Sequence, residues 1–513
     1  MNRFTLIMTP MMSEWPDHKH RVLTLAEHQA YDQASINAGI GLDQLIQHAG
    51  RLVAETIKLR WSKRRVLILS GPGHNGDDGR VAAQYLRQSG WDIAEINLPL
   101  SNPQIFNANF ISEQFARAGL VVDALFGAGL NKAITPETSP FAAQLIQAMA
   151  HWRLPILAVD IPSGIHGDSG QIMGMAASAT ATVTFCRKKP AHLLLPARDL
   201  CGEIIVGAIG LGDDIFARDD FINATSGLPP TYQNHPSLWQ DALPRRLADQ
   251  HKYQRGHAVI RGGNMSGAAR LSAQAARRIG AGMVTLAIPD TARTDYAQTP
   301  AGVILKQLEW GEWAHEFSPD KSYRYGAILI GPGNEPDAAT RADALAAIAS
   351  QKPVILDAGA ITAFAAPGGN YTEQLRSAIA AANTMPVLTP HAKEFTRLFS
   401  AHLPASNDKL AQTRQAAAWL GAVIIHKGSD SIIAAPGGTA IINHNDPPSL
   451  ATAGSGDVLA GIIAGLLAGG MKPQLAAAAA VYLHGNAAHH FAKNHETAMI
   501  AEDIAEFFAA LSR

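Results

Sequence analysis

The sequence predicts an α/β fold in two domains, and three observations predict it. The first is length: 513 residues exceed what one hydrophobic core supports, and about 150 residues per domain is the usual divisor. The second is alternation. Twice along the chain, short β-branched runs alternate with Ala-rich helical stretches, the signature of strand–helix–strand units around a buried parallel sheet. The third is the break between the two series: regularity stops near 215–240, where SGLPPTYQNHPSLW is rich in Ser, Pro, Gly and Asn, as a connector requires. The division is therefore placed at 1–225, a connector at 226–238, and 239–513.

In the first series a helical segment at 25–59 precedes RRVLILS, VAAQYLRQSG, GLVVDALFGAG, FAAQLIQAMA and LPILAVDIPSG. The second runs HAVIRGG, AARLSAQAARRIGAG, MVTLAIPD, YGAILIGPG, KPVILDAGA, MPVLTPHAKEF and AVIIHKGSDSIIAAPGG, then two Ala-rich helices to the end. A strand ends in Gly-Pro-Gly in each half, at 71–73 and 331–333, but the flanks differ, so one local solution is used twice without duplication. The longest apolar stretch, 458–471, is shorter than the roughly 20 residues of a bilayer span and reads as a buried helix.

Composition narrows the function. Hydrophobic residues make up 47% and charged residues 17%, as in a globular chain with a large core. Lys and Arg number 42 against 43 Asp and Glu, which leaves no global field for nucleic acid or an anionic membrane. An anionic ligand must be held locally. Two cysteines, Cys186 and Cys201, are too few for a disulfide framework and lack zinc-site spacing, so a reducing cytoplasm is the expected compartment. MNRFTLIMTPMM has a short apolar run and no small-residue cleavage site, against a secretory signal.

The most informative segment is ATAGSGDVLAG at 451–461. Its glycines let backbone N–H groups approach a ligand, and the start of a helix adds partial positive charge, which together make an anion hole. Asp457 falls in the first helical turn, where an acid also serves simply to compensate the helix dipole. Beside an anion hole the same carboxylate can accept a hydroxyl proton while the hole holds a transferring phosphoryl group. No Walker A sequence occurs, which disfavours a P-loop fold.

GSGDVLAG, with AVIIHKGSDSIIAAP at 422–436, ILIGPGN and VLTPHAKEF, resembles the ribokinase-like superfamily and, within it, the ADP-dependent NAD(P)H-hydrate dehydratases, from about residue 239 onward. The resemblance implies an α/β/α sandwich in which Asp457 is the catalytic base and Gly456 contacts the nucleotide phosphate. Lys427, Gly428, Ser429, Asp430 and Ser431 would hold the nucleotide, while Ala268, Gly333, His391 and Asp457 would line the pocket for the hydrated nicotinamide nucleotide. In that family the nucleotide phosphorylates the hydroxyl of the damaged ring, and loss of phosphate restores the double bond. ADP would be the co-substrate, accompanied by Mg2+. Two residues also have structural readings: His391 could cap the helix begun by AKEFTRLF, and Lys427 could be a solvated loop residue. NHNDPPSLAT departs from the family in lacking the Thr-Gly-Asn-Pro that commonly precedes the glycine motif.

In the first half, SGPGHNGDDGRV at 70–81 joins a strand to a helix. Its glycines are not spaced as G-x-G-x-x-G, and Asp77 and Asp78 would repel a pyrophosphate laid on them, so a simple dehydrogenase is disfavoured. Two later strand ends add Asp123 with a glycine loop, and Asp160 with Ser163; loops at the carboxyl ends of strands in an open sheet converge on one crevice. Asn75, Asp123 and Ser163 are oxygen donors that could hold K+, and Asp160 is either an acid/base group or part of a turn.

LTLAE at 23–27, HAGRLVAE, GPGHNGDDG, VDALFGAGL and AVDIPSG resemble, in order, the NAD(P)H-hydrate epimerases from about residue 23 to 211. This implies a Rossmann-like, doubly wound domain. His74, Asn75, Gly76, Asp77 and Asp78 would embrace the substrate from one side, and Gly127, Ala128, Gly129, Leu130, Asn131, Lys132 and Ala133 from the other. Asn75, Asp123 and Ser163 would bind K+, and Asp160 would interconvert the R and S hydrates. The loop departs from the usual Asn-Asn-Gly-Gly-Asp-Gly at His74 and Asp77, and Asp77 is expected to turn to solvent. Together the halves resemble the bifunctional NAD(P)H-hydrate repair enzymes, which implies small-molecule partners and a homo-oligomer. The alternative is a ribokinase-like small-molecule kinase with a non-catalytic N-terminal binding domain.

Overall fold

The structure is a computed structural model and describes residues 18–99, 106–245, 249–317 and 324–510. The segment read above for a secretory signal lies outside them. Contacts divide the described chain into a unit from His18 to Tyr232 and a unit from Gln233 onward.

The first unit is built on six parallel strands: β2 (Val66–Ser70), β3 (Ile93–Asn97), β4 (Leu120–Ala124), β5 (Ile156–Val159), β6 (Ala181–Phe185) and β7 (Glu203–Gly207), in the order β3-β2-β4-β5-β6-β7. Side chains alternate across a strand, so a continuous apolar run suits a sheet covered on both faces. Val66 and Ile68 enter one core with Leu45, Val53, Ile57 and Ala82 from helices Leu42–Arg60 and His74–Gln88. Leu67 and Leu69 enter the other, with Ile111, Phe115, Leu145 and Ile146 from helices Ala108–Arg117 and Pro140–Trp152. A Cβ on Gly50 would lie 2.5 Å from Val81 Cβ, so a glycine is what lets the first two helices pack this closely. The stretch expected to be irregular at 226–238 carries a strand, β8 (Thr231–Gln233), whose Thr231 and Tyr232 pair antiparallel with β1 (Arg21–Val22).

In the second unit the strands are β9 (His257–Arg261), β10 (Met283–Ile288), β11 (Ile304–Gln307), β12 (Ala327–Ile330), β13 (Val354–Leu356), β14 (Val387–Leu388), β15 (Val423–His426), β16 (Ile432–Ala434) and β17 (Ala440–Ile442). Their order is β17-β16-β15-β14-β13-β12-β9-β10-β11, parallel from β15 to β11 and closed by antiparallel β16 and β17. Helix Ser455–Ala468 is buried along most of its length and packs on helix Ser266–Ile279. A Cβ on Gly461 would lie 2.2 Å from Ser272 O, and one on Gly465 would lie 2.3 Å from Ile279 Cγ2. Three helices, not two, finish the chain: Ser455–Ala468, Pro473–Asn494 and Ala501–Ala510. The last is short, ten residues, and is set off from the preceding Ala-rich helix by the polar stretch KNHET. No described helix is long and apolar enough to cross a membrane.

The two Gly-Pro-Gly turns have the same cause. A Cβ on Gly71 would sit 1.7 Å from Leu125 O, and one on Gly331 would sit 1.7 Å from Asp357 O. In each case the chain leaving a strand grazes the backbone that follows the neighbouring strand, and only a residue without a side chain passes.

Gly461→Ala drives a methyl group into the Ser272 carbonyl and forces the two helices apart. Chemical denaturation is expected to show a loss of about 1–3 kcal/mol, the usual cost of overpacking.

Candidate functional sites

The first unit opens a cleft of about 580 Å³ at the carboxyl ends of its strands, within the range of about 300–1,000 Å³ typical of ligand sites. His74, Asn75 and Asp78 line one wall; Gly127 to Lys132 line another; Asp160 and Lys189 meet at the floor. Of the other residues expected to embrace substrate, Gly76 lies beneath: a Cβ there would fall 2.0 Å from Gly71 O, so this glycine seats the helix on the strand end. Ala133 lies outside the cleft lining. Asp77 turns away, as its Oδ1 accepts from Arg80 Nη2 at 2.6 Å one helical turn on. Its charge is thus met by a guanidinium, in addition to being exposed to water.

Asp160 ends β5 with a left-handed backbone, φ 67°, which costs a non-glycine residue about 1–3 kcal/mol and persists only when its surroundings hold it. Its Oδ1 accepts from Lys189 Nζ at 2.6 Å and Thr184 Oγ1 at 3.2 Å, and its Oδ2 from the Ala128 N–H at 3.0 Å. Burial alone would raise the Asp160 carboxyl, but the Lys189 ammonium overrides it and holds the group well below the usual carboxylate range. Asp78 goes the other way: burial, then the negative charge of Asp160, push it well above its ordinary value. The cleft therefore holds one carboxyl biased to ionise and one biased to keep its proton, the pattern of acid/base pairs.

Asp123 and Ser163 lie together below the cleft. Ser163 donates from its N–H at 2.8 Å and its Oγ at 2.6 Å to the Asp123 carboxylate, while burial raises the Asp123 carboxyl. Asn75 is different: both polar atoms of its side-chain amide are buried with no partner among the described residues. A buried amide left unpaired costs roughly 1–3 kcal/mol, so such an atom marks a place for an absent partner.

The second site lies where β12, β13, β14 and β15 end. Gly333, from the turn after β12, packs on the helix Ser266–Ile279: a Cβ on it would lie 3.2 Å from the Ala268 Cβ. Asp357 follows β13 and is buried; its Oδ1 accepts from Thr389 Oγ1 at 2.6 Å and from Lys427 Nζ at 2.9 Å. Lys427 is thus an ion-pair partner and not a solvated loop residue. Gly456 packs over it, with room for a Cβ 3.6 Å from Nζ. Asp457 stands in the first turn of Ser455–Ala468, whose N-cap Gly454 has φ 86°. Burial, then the negative charge of Asp357, push its carboxyl up to about 6, with Lys427 opposing.

The loop 427–431 is closed on itself. Ser431 Oγ donates to Gly428 O at 2.6 Å and accepts from the Gly428 N–H at 3.2 Å, while Asp430 takes Lys409 Nζ at 2.5 Å. Ser429 is exposed in this loop. His391 is the N-cap of helix Ala392–Phe399: its Nδ1 accepts from the N–H groups of Lys393 and Glu394, and Glu394 returns a bond to the His391 N–H at 2.9 Å. The capping role read from the sequence is therefore real; its other ring edge is half exposed.

Sequence reasoning missed Lys189 and Asp357. Each is identified only by a partner far along the chain, Asp160 and Lys427 respectively. A lysine or aspartate just beyond a buried strand is the available signal, and KKP and LDAG carry it.

Comparison with known proteins matches two separate stretches of the chain. Residues 258–509 match the family described as NAD(P)H-hydrate dehydratase, and 42–191 match the YjeF-related protein N-terminus. The bifunctional NAD(P)H-hydrate repair enzyme of Thermosynechococcus vestitus is 30% identical over 474 residues, covering 87% of this chain and 88% of the relative. That of Moorella thermoacetica is 31% identical over 515 residues, covering 91% and 92%. That of Mycobacterium tuberculosis is 34% identical over 429 residues, covering 81% of each. Among solved structures, the ADP/ATP-dependent NAD(P)H-hydrate dehydratase of Bacillus subtilis, co-crystallized with ATP/Mg2+, is 26% identical with a TM-score of 0.47, covering 56% of this chain and 98% of that one.

His391→Ala removes the acceptor for two helix N–H groups and is expected to lower the denaturation free energy by about 1 kcal/mol, with His391→Asn, a better cap, restoring it.

Proposed function

The chain belongs to the bifunctional NAD(P)H-hydrate repair enzymes, and from that premise we propose how its two sites divide the work. The protein interconverts the R and S forms of hydrated NADH and NADPH, and it dehydrates the S form at the expense of a nucleotide. Epimerisation belongs to the unit from His18 to Tyr232 and dehydration to the unit from Gln233 onward.

In the dehydratase site the terminal phosphoryl group of ADP passes to the hydroxyl of the hydrated ring. Asp457 takes the hydroxyl proton, and the N–H groups at Gly456 and the helix start face the transferring phosphoryl group. Departure of phosphate, with loss of a proton from the neighbouring carbon, restores the 5,6 double bond and leaves AMP. Ala268, Gly333 and His391 border the ring's pocket, and the loop from Lys427 to Ser431 cradles the nucleotide. Lys427, anchored by Asp357, supplies positive charge beneath the phosphates. Mg2+ would travel on the nucleotide, neutralising phosphate oxygens. The observation that carries this reading is the Asp457 carboxyl: it is placed at a helix N-terminus, tuned to about 6, and so ionised but still basic near neutral pH.

In the epimerase site Asp160 is the acid/base group, and His74, Asn75 and Asp78 face the substrate across from the 127–133 loop. The unpartnered amide of Asn75 fits K+, whose ligands are hard oxygens, and Asp123 and Ser163 would complete its donor set. The ion would supply fixed positive charge for the substrate phosphates.

Chemically hydrated NADH incubated with the protein, ADP and Mg2+ is expected to regain its reduced-nicotinamide absorbance completely. A stable phosphorylated product would instead indicate the kinase. Asp457→Asn is expected to slow dehydration by about 10²–10⁴-fold. In the parent, kcat/KM for dehydration should fall about tenfold per unit as pH drops below about 6, because the raised carboxyl is then protonated and accepts nothing. Asp160→Asn is expected to leave the R fraction unrecovered while the S fraction is repaired at the parental rate.

A further inference from the structure

The segment 189–192 bears on Asp160 from two sides at once. Lys189 is buried, and its ammonium bonds Asp160 Oδ1 at 2.6 Å and Thr184 Oγ1 at 3.1 Å. The Lys189 N–H donates to His192 Nδ1 at 2.9 Å. That bond makes Nδ1 the acceptor and puts the ring proton on Nε2, which donates to the Asp160 carbonyl at 2.9 Å. One imidazole therefore ties the backbones of the lysine and the aspartate together, with Pro190 between them restricting the chain.

The consequence lies in which carboxylate oxygen is left for substrate. Oδ1 is committed to Lys189 and Thr184. Oδ2 meets the Ala128 N–H and lies 3.1 Å from where a Gly127 Cβ would be, so it faces the glycine loop at the cleft wall. A left-handed backbone at a non-glycine residue relaxes unless it is held. The carbonyl of that very residue is what His192 grips.

We propose that Lys189 and His192 are positioning residues for epimerisation, holding Asp160 in its left-handed conformation and turning Oδ2 toward the hydrated ring as the atom that takes and returns the proton. The proposal rests on the assignment of Asp160 as the acid/base group. Inversion breaks one bond to the hydroxyl-bearing carbon and re-forms it on the opposite face; Oδ2 takes a proton from the substrate as the bond breaks and returns it as the bond re-forms, so every atom and electron pair is restored.

The test uses the full chain and follows R-to-S conversion, with dehydration of the S form as an internal control. Lys189→Met is expected to lower kcat for epimerisation at least 100-fold with KM within about 3-fold of the parent and dehydration unchanged. Combined with Asp160→Asn it should add nothing further, because residues acting as one unit are non-additive. The double variant also removes both buried charges, so it keeps the comparison open if either single variant is destabilised by the charge left behind. His192→Leu should cost at least tenfold in kcat, and His192→Gln, which keeps a donor at the Nε2 position, should recover most of it. Parental kcat in Lys189→Met or His192→Leu overturns the proposal, as does a Lys189→Met loss that multiplies with that of Asp160→Asn. An Asp160→Asn chain that epimerises normally overturns instead the assignment on which the proposal stands.

Discussion

A lysine ammonium paired with an aspartate at the carboxyl edge of a parallel sheet organises each site, Lys189 buried in one and Lys427 partly buried in the other. Desolvating such a cation is tolerable only beside a carboxylate with good geometry, and the chain provides Asp160 for Lys189 and Asp357 for Lys427. Each site then holds a further carboxylate that the lysine does not bond, Asp78 in one and Asp457 in the other, and both are raised by burial and by the paired aspartate. The two sites use this arrangement in opposite ways. Under the proposed assignments the reactive aspartate is the paired one in the epimerase site and the unpaired one in the dehydratase site, where its raised basicity suits it to take a hydroxyl proton.

The lysines could be buried because the strands deliver them there. Runs such as VLILS are apolar on both faces, and their alternate residues enter two separate cores. Most polar groups therefore gather toward the ends of the strands. The grazing contact at Gly71 and Gly331 turns the chain immediately at that edge, placing the following residues over the sheet ends in both units.

Local chemistry was legible in the sequence, and distant pairing was not. The strands, the helix after GSGD and the turn glycines follow from periodicity and residue type, and the His391 cap was readable from the helix that follows it. Lys189 and Asp357 were invisible because what makes them matter is a partner 29 and 70 residues away, brought near by sheet order that no local pattern encodes. Asp77 was read as a liability; Arg80, one turn on, absorbs its charge. Gly76 was read as a ligand-facing glycine, yet the Gly71 carbonyl beside it accounts for the missing side chain.

The glycine-mediated seam between Ser455–Ala468 and Ser266–Ile279 bears on how the dehydratase can move. Ser272 Oγ also donates to the Asp457 carbonyl at 2.7 Å, bolting the two helices together at the turn that carries Asp457. The helix bearing Ala268 and the helix bearing Asp457 are thus held together by close backbone contact, and the spacing between the two residues is set when the chain folds.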